Sequence, residues 1–227
     1  AEFRSLAKEI SDIAAEIKRT GTYEVFFNQC YLFSIGEGRG LTTYLTLLAQ
    51  LIGELGLCKM SADPVREEKL SLFREEMEPF EDAMRALGKG DKNSVKLLCV
   101  DISEWMDKTD NRYFKQFLRI VEKHSEEFIV VFRVPFVDKD ILAEIRFSLN
   151  DLLNVRALSF PPFNRNEIKE FAEHELDRLK FSLTKTAWDC FFERISEEKG
   201  DGKFYGINTI KKVVKELVYC KQLQNAR

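Results

Sequence analysis

At 227 residues, 44% of them hydrophobic, the chain is long enough for one sizeable core or two modest ones, and its 35 basic against 38 acidic side chains leave a formal net charge of -3. The longest apolar runs, Phe128 to Phe132 and Leu97 to Val100, fall far short of the roughly 20 residues that a membrane-spanning helix needs, so no membrane partner is expected. Near-balanced charge gives no basic footprint for nucleic acid, which leaves other protein chains or a small ligand as the expected partners.

The chain opens on Ala1-Glu2-Phe3-Arg4, without an initiator Met and without the basic-then-apolar build of a secretion signal, and so reads as a piece of a longer protein. Residues Phe3, Leu6, Ile10, Ile13, Ala14 and Ile17 form one apolar stripe on a helix ended by Gly21. Tyr31-Leu32-Phe33 then leads into Gly36-Glu37-Gly38-Arg39-Gly40, after which Leu45, Leu48, Ala49, Ile52 and Leu55 recur at helical spacing: strand, glycine loop, helix. From Pro64 to Leu87, apolar residues at steps of three and four (Leu70, Phe73, Met77, Phe80, Met84, Leu87) predict an amphipathic helix closed by Gly88-Lys89-Gly90-Asp91. Val95 to Val100 reads as a strand ending at Asp101, Tyr113 to Val121 as a helix, and Phe128 to Phe132 as a second apolar strand. Unbroken apolar strands alternating with helices imply a parallel sheet covered on both faces.

Beyond Leu158-Ser159-Phe160 and Pro161-Pro162 the pattern is purely helical. Asn164 or Asn166 can cap one helix through Lys180, Thr184 or Thr186 opens another carrying Trp188, Phe191, Phe192 and Ile195, and a last helix starts at Asn208 after a loop from Gly200 to Gly206. Two domains are expected, 1–163 and 164–227. The five cysteines, Cys30, Cys58, Cys99, Cys190 and Cys220, are odd in number and lack any CxxC spacing, which suits free thiols in a reducing compartment, the cytoplasm. His124 and His174 sit among charged neighbours and read as solvated residues, not metal ligands.

A glycine loop joining a strand to a helix in a parallel α/β sheet is the architecture that cradles phosphate, because backbone N–H groups and the helix N-terminus both point at the anion. Against G-x-x-x-x-G-K-S/T, the loop keeps Gly40 and Thr42, but Ile35 stands at the first Gly and Leu41 at the Lys. From about Gln29 onward the chain resembles one AAA+ ATPase family, the group containing red-type Rubisco activases and the stage V sporulation ATPases. The motif counterparts are Tyr31 to Thr43, Leu97 to Ser103, Val121-Glu122, Val130 to Phe136, Leu158 to Phe163 and Phe204 to Lys212. The resemblance implies a P-loop NTPase-like parallel sheet sandwiched by helices, with a small all-helical lid at the C-terminus. It also implies nucleotide-binding positions at Gly36, Gly38, Arg39, Gly40, Leu41, Thr42, Thr43 and Asn208, and vestigial Mg²⁺ ligands at Thr42 and Asp101.

The departures from that pattern bear on chemistry. Leu41 cannot neutralise terminal phosphates, Ile102 replaces the glutamate that polarises the attacking water, and Glu104 lies past the strand end. The family's arginine fingers fall on Asp151 and Leu153, and its lid arginine falls on Asn208. No catalytic residue is therefore assigned, no tightly bound cofactor is expected, and ATP or ADP with Mg²⁺ would bind weakly. Three readings stand, in this order: a non-hydrolysing AAA+ module acting as scaffold or regulatory partner of active AAA+ domains, a nucleotide-binding switch without turnover, and a working ATPase completed by neighbouring subunits. The family's pore loop would lie within Met60 to Lys92, which holds no aromatic-glycine signature.

Overall fold

The structure, a computed structural model, describes residues 2–71, 94–125, 128–202 and 204–225. Two helices, α1 (Glu2–Thr20) and α2 (Tyr23–Phe27), precede β1 (Gln29–Ile35), and the glycine loop leads from β1 into α3 (Leu41–Glu54). Then come β2 (Lys59–Lys69), β3 (Ser94–Asp101), a short 3₁₀ turn (Ser103–Trp105), α4 (Arg112–Lys123), β4 (Phe128–Val134), α5 (Lys139–Asn150) and β5 (Asn154–Phe160). Three helices finish the chain: α6 (Arg165–Arg178), α7 (Lys185–Gly200) and α8 (Ile207–Asn225).

The five strands form one parallel sheet in the order β2-β3-β4-β1-β5. Parallel strands need crossover connections, and among the described residues α3, α4 and α5 supply them and with α1 cover both faces, so the central strands are buried along most of their described length. Alternate residues of each strand face opposite ways. On one side, Leu32 of β1, Leu98 and Val100 of β3 and Phe132 of β4 pack with Phe114 and Phe117 of α4 and with Ile145 and Leu149 of α5. On the other, Tyr31, Phe33 and Ile35 of β1 pack with Leu6, Ile10 and Ala14 of α1 and with Leu45, Leu48 and Ile52 of α3. This is the α/β class that the sequence leads one to expect, a parallel sheet sandwiched by helices and followed by an all-helical C-terminal segment.

By internal contacts the chain divides into two compact units, residues 1–36 with 41–161, and residues 37–40 with 162–227. The second has its own apolar core, in which Ile168, Ala172 and Leu176 of α6 meet Phe191 and Ile195 of α7 and Ile210, Val213 and Val214 of α8. Asn164 caps α6 through a reciprocal pair of hydrogen bonds with Glu167, and the Thr184 hydroxyl caps α7.

Two expectations are corrected. Pro64 to Lys69 is not helical but belongs to β2, an edge strand. Its charged sequence is tolerated because an edge strand faces water, and Pro64 falls where the β2–β3 register shifts between Met60 and Val65, where no ladder bond is demanded of it. Leu70 is buried, whereas Phe73, Met77, Phe80, Met84, Leu87, the turn after them and the rest of the interval assigned to a pore loop lie outside the described residues. His124 is buried, not solvated, because it is the residue that closes α4, where its N–H meets the carbonyls of Ile120 and Val121. All five cysteines are free thiols; burial pushes those of Cys30 and Cys99 up to about 12, which makes them inert packing groups.

Phe33 has no exposed surface and its ring lies 5.1 Å from that of Phe160, whereas Ile13 on α1 is 43% exposed. Phe33→Ala is expected to cost about 3–5 kcal/mol in urea unfolding and Ile13→Ala less than about 1 kcal/mol. Equal costs would mean that the sheet core is not packed as described.

Candidate functional site

The carboxyl ends of β1, β3 and β4 lie side by side, the edge at which a parallel sheet of this kind presents its chemistry. Asp101 ends β3, and its direct register partner on β4 is Arg133. The Arg133 guanidinium donates from Nη1 to Asp101 Oδ2 at 2.6 Å and from Nη2 to the carbonyl of Ile35, the last residue of β1, at 3.2 Å. Asp101 Oδ1 accepts from the Ser103 N–H at 2.9 Å and from the Ser103 hydroxyl. Both carboxylate oxygens are thus engaged, and one guanidinium ties three strand ends together. Burial alone would raise the Asp101 pKa, but the Ser103 donors and Arg133 outweigh it and hold the carboxyl below its usual value.

Other residues expected at a nucleotide site in this unit have separate partners. Thr42, exposed on the first turn of α3, donates its hydroxyl to Glu67 Oε1 of β2 at 2.7 Å, and Thr43 is exposed. Leu41 is half-buried and packs against the core beneath α1 and α3. Ile102, where the resemblance leads one to expect a water-polarising glutamate, has no exposed surface, and its N–H donates to the Arg133 carbonyl at 2.9 Å. Glu104 Oε1 pairs with Lys69 Nζ at 2.6 Å. Of the two residues on which the expected arginine fingers fall, Leu153 is buried in the core and Asp151 follows α5 exposed. Among the described residues no group of three or more His, Cys, Asp or Glu side chains could hold a metal ion.

Gly36 falls in this first unit, whereas Gly38, Arg39, Gly40 and Asn208 fall in the second. There the Gly38 carbonyl accepts the Ile207 N–H at 3.0 Å. Arg39 lies with its guanidinium carbon 3.6 Å from the centre of the Phe163 ring and its Nη1 3.9 Å from Glu167 Oε2; its side chain is only 10% exposed. Asn208 is exposed on the first turn of α8, with its N–H on the Tyr205 carbonyl at 3.3 Å. Arg133 is not singled out by the sequence, whose apolar run ends at Phe132. A base at the end of one buried strand and an acid at the end of another, Asp101, was the available signal.

No family model and no curated protein matches the chain. Among solved structures, it is similar to C. elegans PCH-2, at 14% identity and TM-score 0.47 over 96% of this chain and 62% of that one. It is similar to a Thermotoga maritima RuvB variant, at 13% identity and TM-score 0.48 over 94% and 69%. A third is the replication initiator DnaA bound to AMPPCP and single-stranded DNA, at 12% identity and TM-score 0.47 over 84% and 55%. The chain thus spans less than two thirds of the PCH-2 and DnaA chains. Its fold assignment rests on its own strand order and crossovers.

Because folding lowers the Asp101 pKa, the stability it confers is present above the unfolded value near 3.8 and is lost as pH falls through the folded value. Unfolding free energy should therefore drop more steeply below about pH 4 in the parent than in Asp101→Asn. At neutral pH Asp101→Asn should cost about 1–3 kcal/mol, because Arg133 keeps its charge and loses its counter-charge. Identical acid limbs for the two proteins in urea titrations would contradict the assignment.

Proposed function

We propose that the chain is a degenerate AAA+ module that does not hydrolyse ATP and serves as a scaffold or regulatory partner for active AAA+ domains or other protein chains. The observation that carries this reading is the engagement of Asp101. A Mg²⁺ ion needs free carboxylate lone pairs in near-octahedral array, and here Arg133 supplies the positive charge from within the chain while Ser103 takes the other oxygen. Neither position considered for a water-activating carboxylate offers one free, since Ile102 is core and Glu104 is paired with Lys69. Leu41 adds packing where charge neutralisation would be needed. Mutually dependent parts of a phosphoryl-transfer site are thus replaced together, while the fold around them is intact.

The narrower kinship with red-type Rubisco activases and stage V sporulation ATPases belongs to this proposal, as does a cytoplasmic setting, which the free thiols favour. No helix among the described residues is long and apolar enough to cross a membrane.

With Mg²⁺ present, the isolated chain should show no ATP turnover above about 0.1 per second, against the roughly 1–1000 per second of ordinary enzymes. Leu41→Lys should bind Mg-ATP no more tightly than the parent in calorimetric titration, and should lose about 1 kcal/mol of stability with its apolar contacts. A gain of about tenfold or more in affinity, worth about 1.4 kcal/mol, would favour the nucleotide-switch reading instead.

A further inference from the structure

We propose that the glycine turn Glu37–Gly40 is a strap built into the C-terminal helical unit, seated on the turn ahead of α8 through backbone contacts that only glycine permits. The inference deepens the reading above by giving the phosphate-type loop a structural occupation that needs no ligand.

Two glycines face each other across this contact. Gly38 has φ +68°, and a Cβ added there would lie 2.0 Å from the Tyr205 carbonyl oxygen and 2.9 Å from the Gly206 nitrogen. Gly206 has φ +54°, and its added Cβ would lie 2.2 Å from the Gly38 oxygen. All of these are backbone atoms, which cannot swing aside as a flexible side chain could. The approach is therefore reciprocal, and glycine is required on both sides for close passage as well as for conformation.

Hydrogen bonding explains what the approach achieves. The first N–H groups of a helix have no partner within it, and in a phosphate-binding protein an anion can supply one. Here the Ile207 N–H, at the start of the 19-residue α8, is taken by the Gly38 carbonyl at 3.0 Å. The Asn208 N–H is taken by Tyr205, whose own N–H bonds the Thr209 hydroxyl at 2.8 Å. Next in the strap, Arg39 stacks on Phe163 and reaches Glu167, the residue that completes the α6 capping box. The strap thus joins the starts of α6 and α8 within one unit. A loop whose carbonyl is spent on a helix start and whose glycine is pressed against backbone has become part of the protein's own packing.

Amide hydrogen exchange on the full chain without nucleotide tests this, using four single glycine-to-alanine variants. Gly38→Ala and Gly206→Ala introduce both a positive-φ strain and a backbone clash. Gly202→Ala introduces the strain alone, since its φ is +67° with nothing within 4 Å, and Gly36→Ala introduces neither. The Ile207 amide should be protected in the parent, lose about tenfold or more of that protection in Gly38→Ala and Gly206→Ala, and keep it in Gly202→Ala and Gly36→Ala, with β1 amides unchanged. An unprotected Ile207 amide in the parent, or a Gly38→Ala effect no larger than that of Gly202→Ala, would overturn the strap. Should Gly38→Ala fail to fold, Arg39→Ala takes its place. It removes the Phe163 and Glu167 contacts without a clash and should lower Ile207 protection by a smaller factor; no change would overturn the proposal. Because every arm is read without ATP, the strap can fail while the non-hydrolysing reading stands, and the reverse.

Discussion

A guanidinium placed near the end of a buried parallel strand needs an acceptor within reach, and Asp101 on the neighbouring strand is that acceptor. Much of the C-terminal edge of the sheet follows from this contact. The guanidinium's second arm satisfies the Ile35 carbonyl where β1 gives way to the glycine loop, Ser103 turns back to close the other face of the carboxylate, and Ile102 between them is drawn into the core. Charged hydrogen bonds of this kind contribute about 1.5–3 kcal/mol each, comparable to what a bound cation would have to offer to displace them. At this edge the protein's own charged and polar groups are paired with one another.

The two compact units carry the same logic separately. In the first, the polar groups at the strand ends are matched internally: Thr42 with Glu67, Lys69 with Glu104, Arg133 with Asp101. In the second, buried Glu198 meets Lys212 at 2.9 Å and buried Glu175 meets Arg178 at 2.8 Å, while the first donors of α8 are used by neighbouring backbone. Pairs of this kind, once partly desolvated, fix geometry more than they add net stability, and the apolar clusters beneath them supply the driving force.

Strands β1, β3 and β4 were legible because a strand buried on both faces must be continuously apolar, and the helices α1 and α3 because one buried face imposes a period near 3.6. The caps at Asn164 and Thr184 were legible because a short polar side chain ahead of a helix has one strongly favoured use. Strand β2 was not: its run of Pro64, Arg66, Glu67, Glu68 and Lys69 carries no period-two apolar signal, since an edge strand has water on one side and needs none. The chemistry of the glycine loop was legible only in part. That Leu41 stands where the phosphate-loop pattern has a lysine could be read directly, whereas the partner of Gly38 lies far along the chain at Gly206, and no local pattern announces such an approach. Arg133 was hidden for a related reason, because the acid that explains it sits on another strand.

The most direct measurement is a double-mutant cycle on Asp101→Asn and Arg133→Gln, with unfolding free energies determined with and without Mg²⁺. If the guanidinium holds the carboxylate as described, the two substitutions should couple by at least about 1 kcal/mol, and millimolar Mg²⁺ should leave the parent's stability unchanged. Coupling near zero, together with stabilisation of the parent by Mg²⁺ that vanishes in Asp101→Asn, would show that Asp101 serves a metal and would contradict the account.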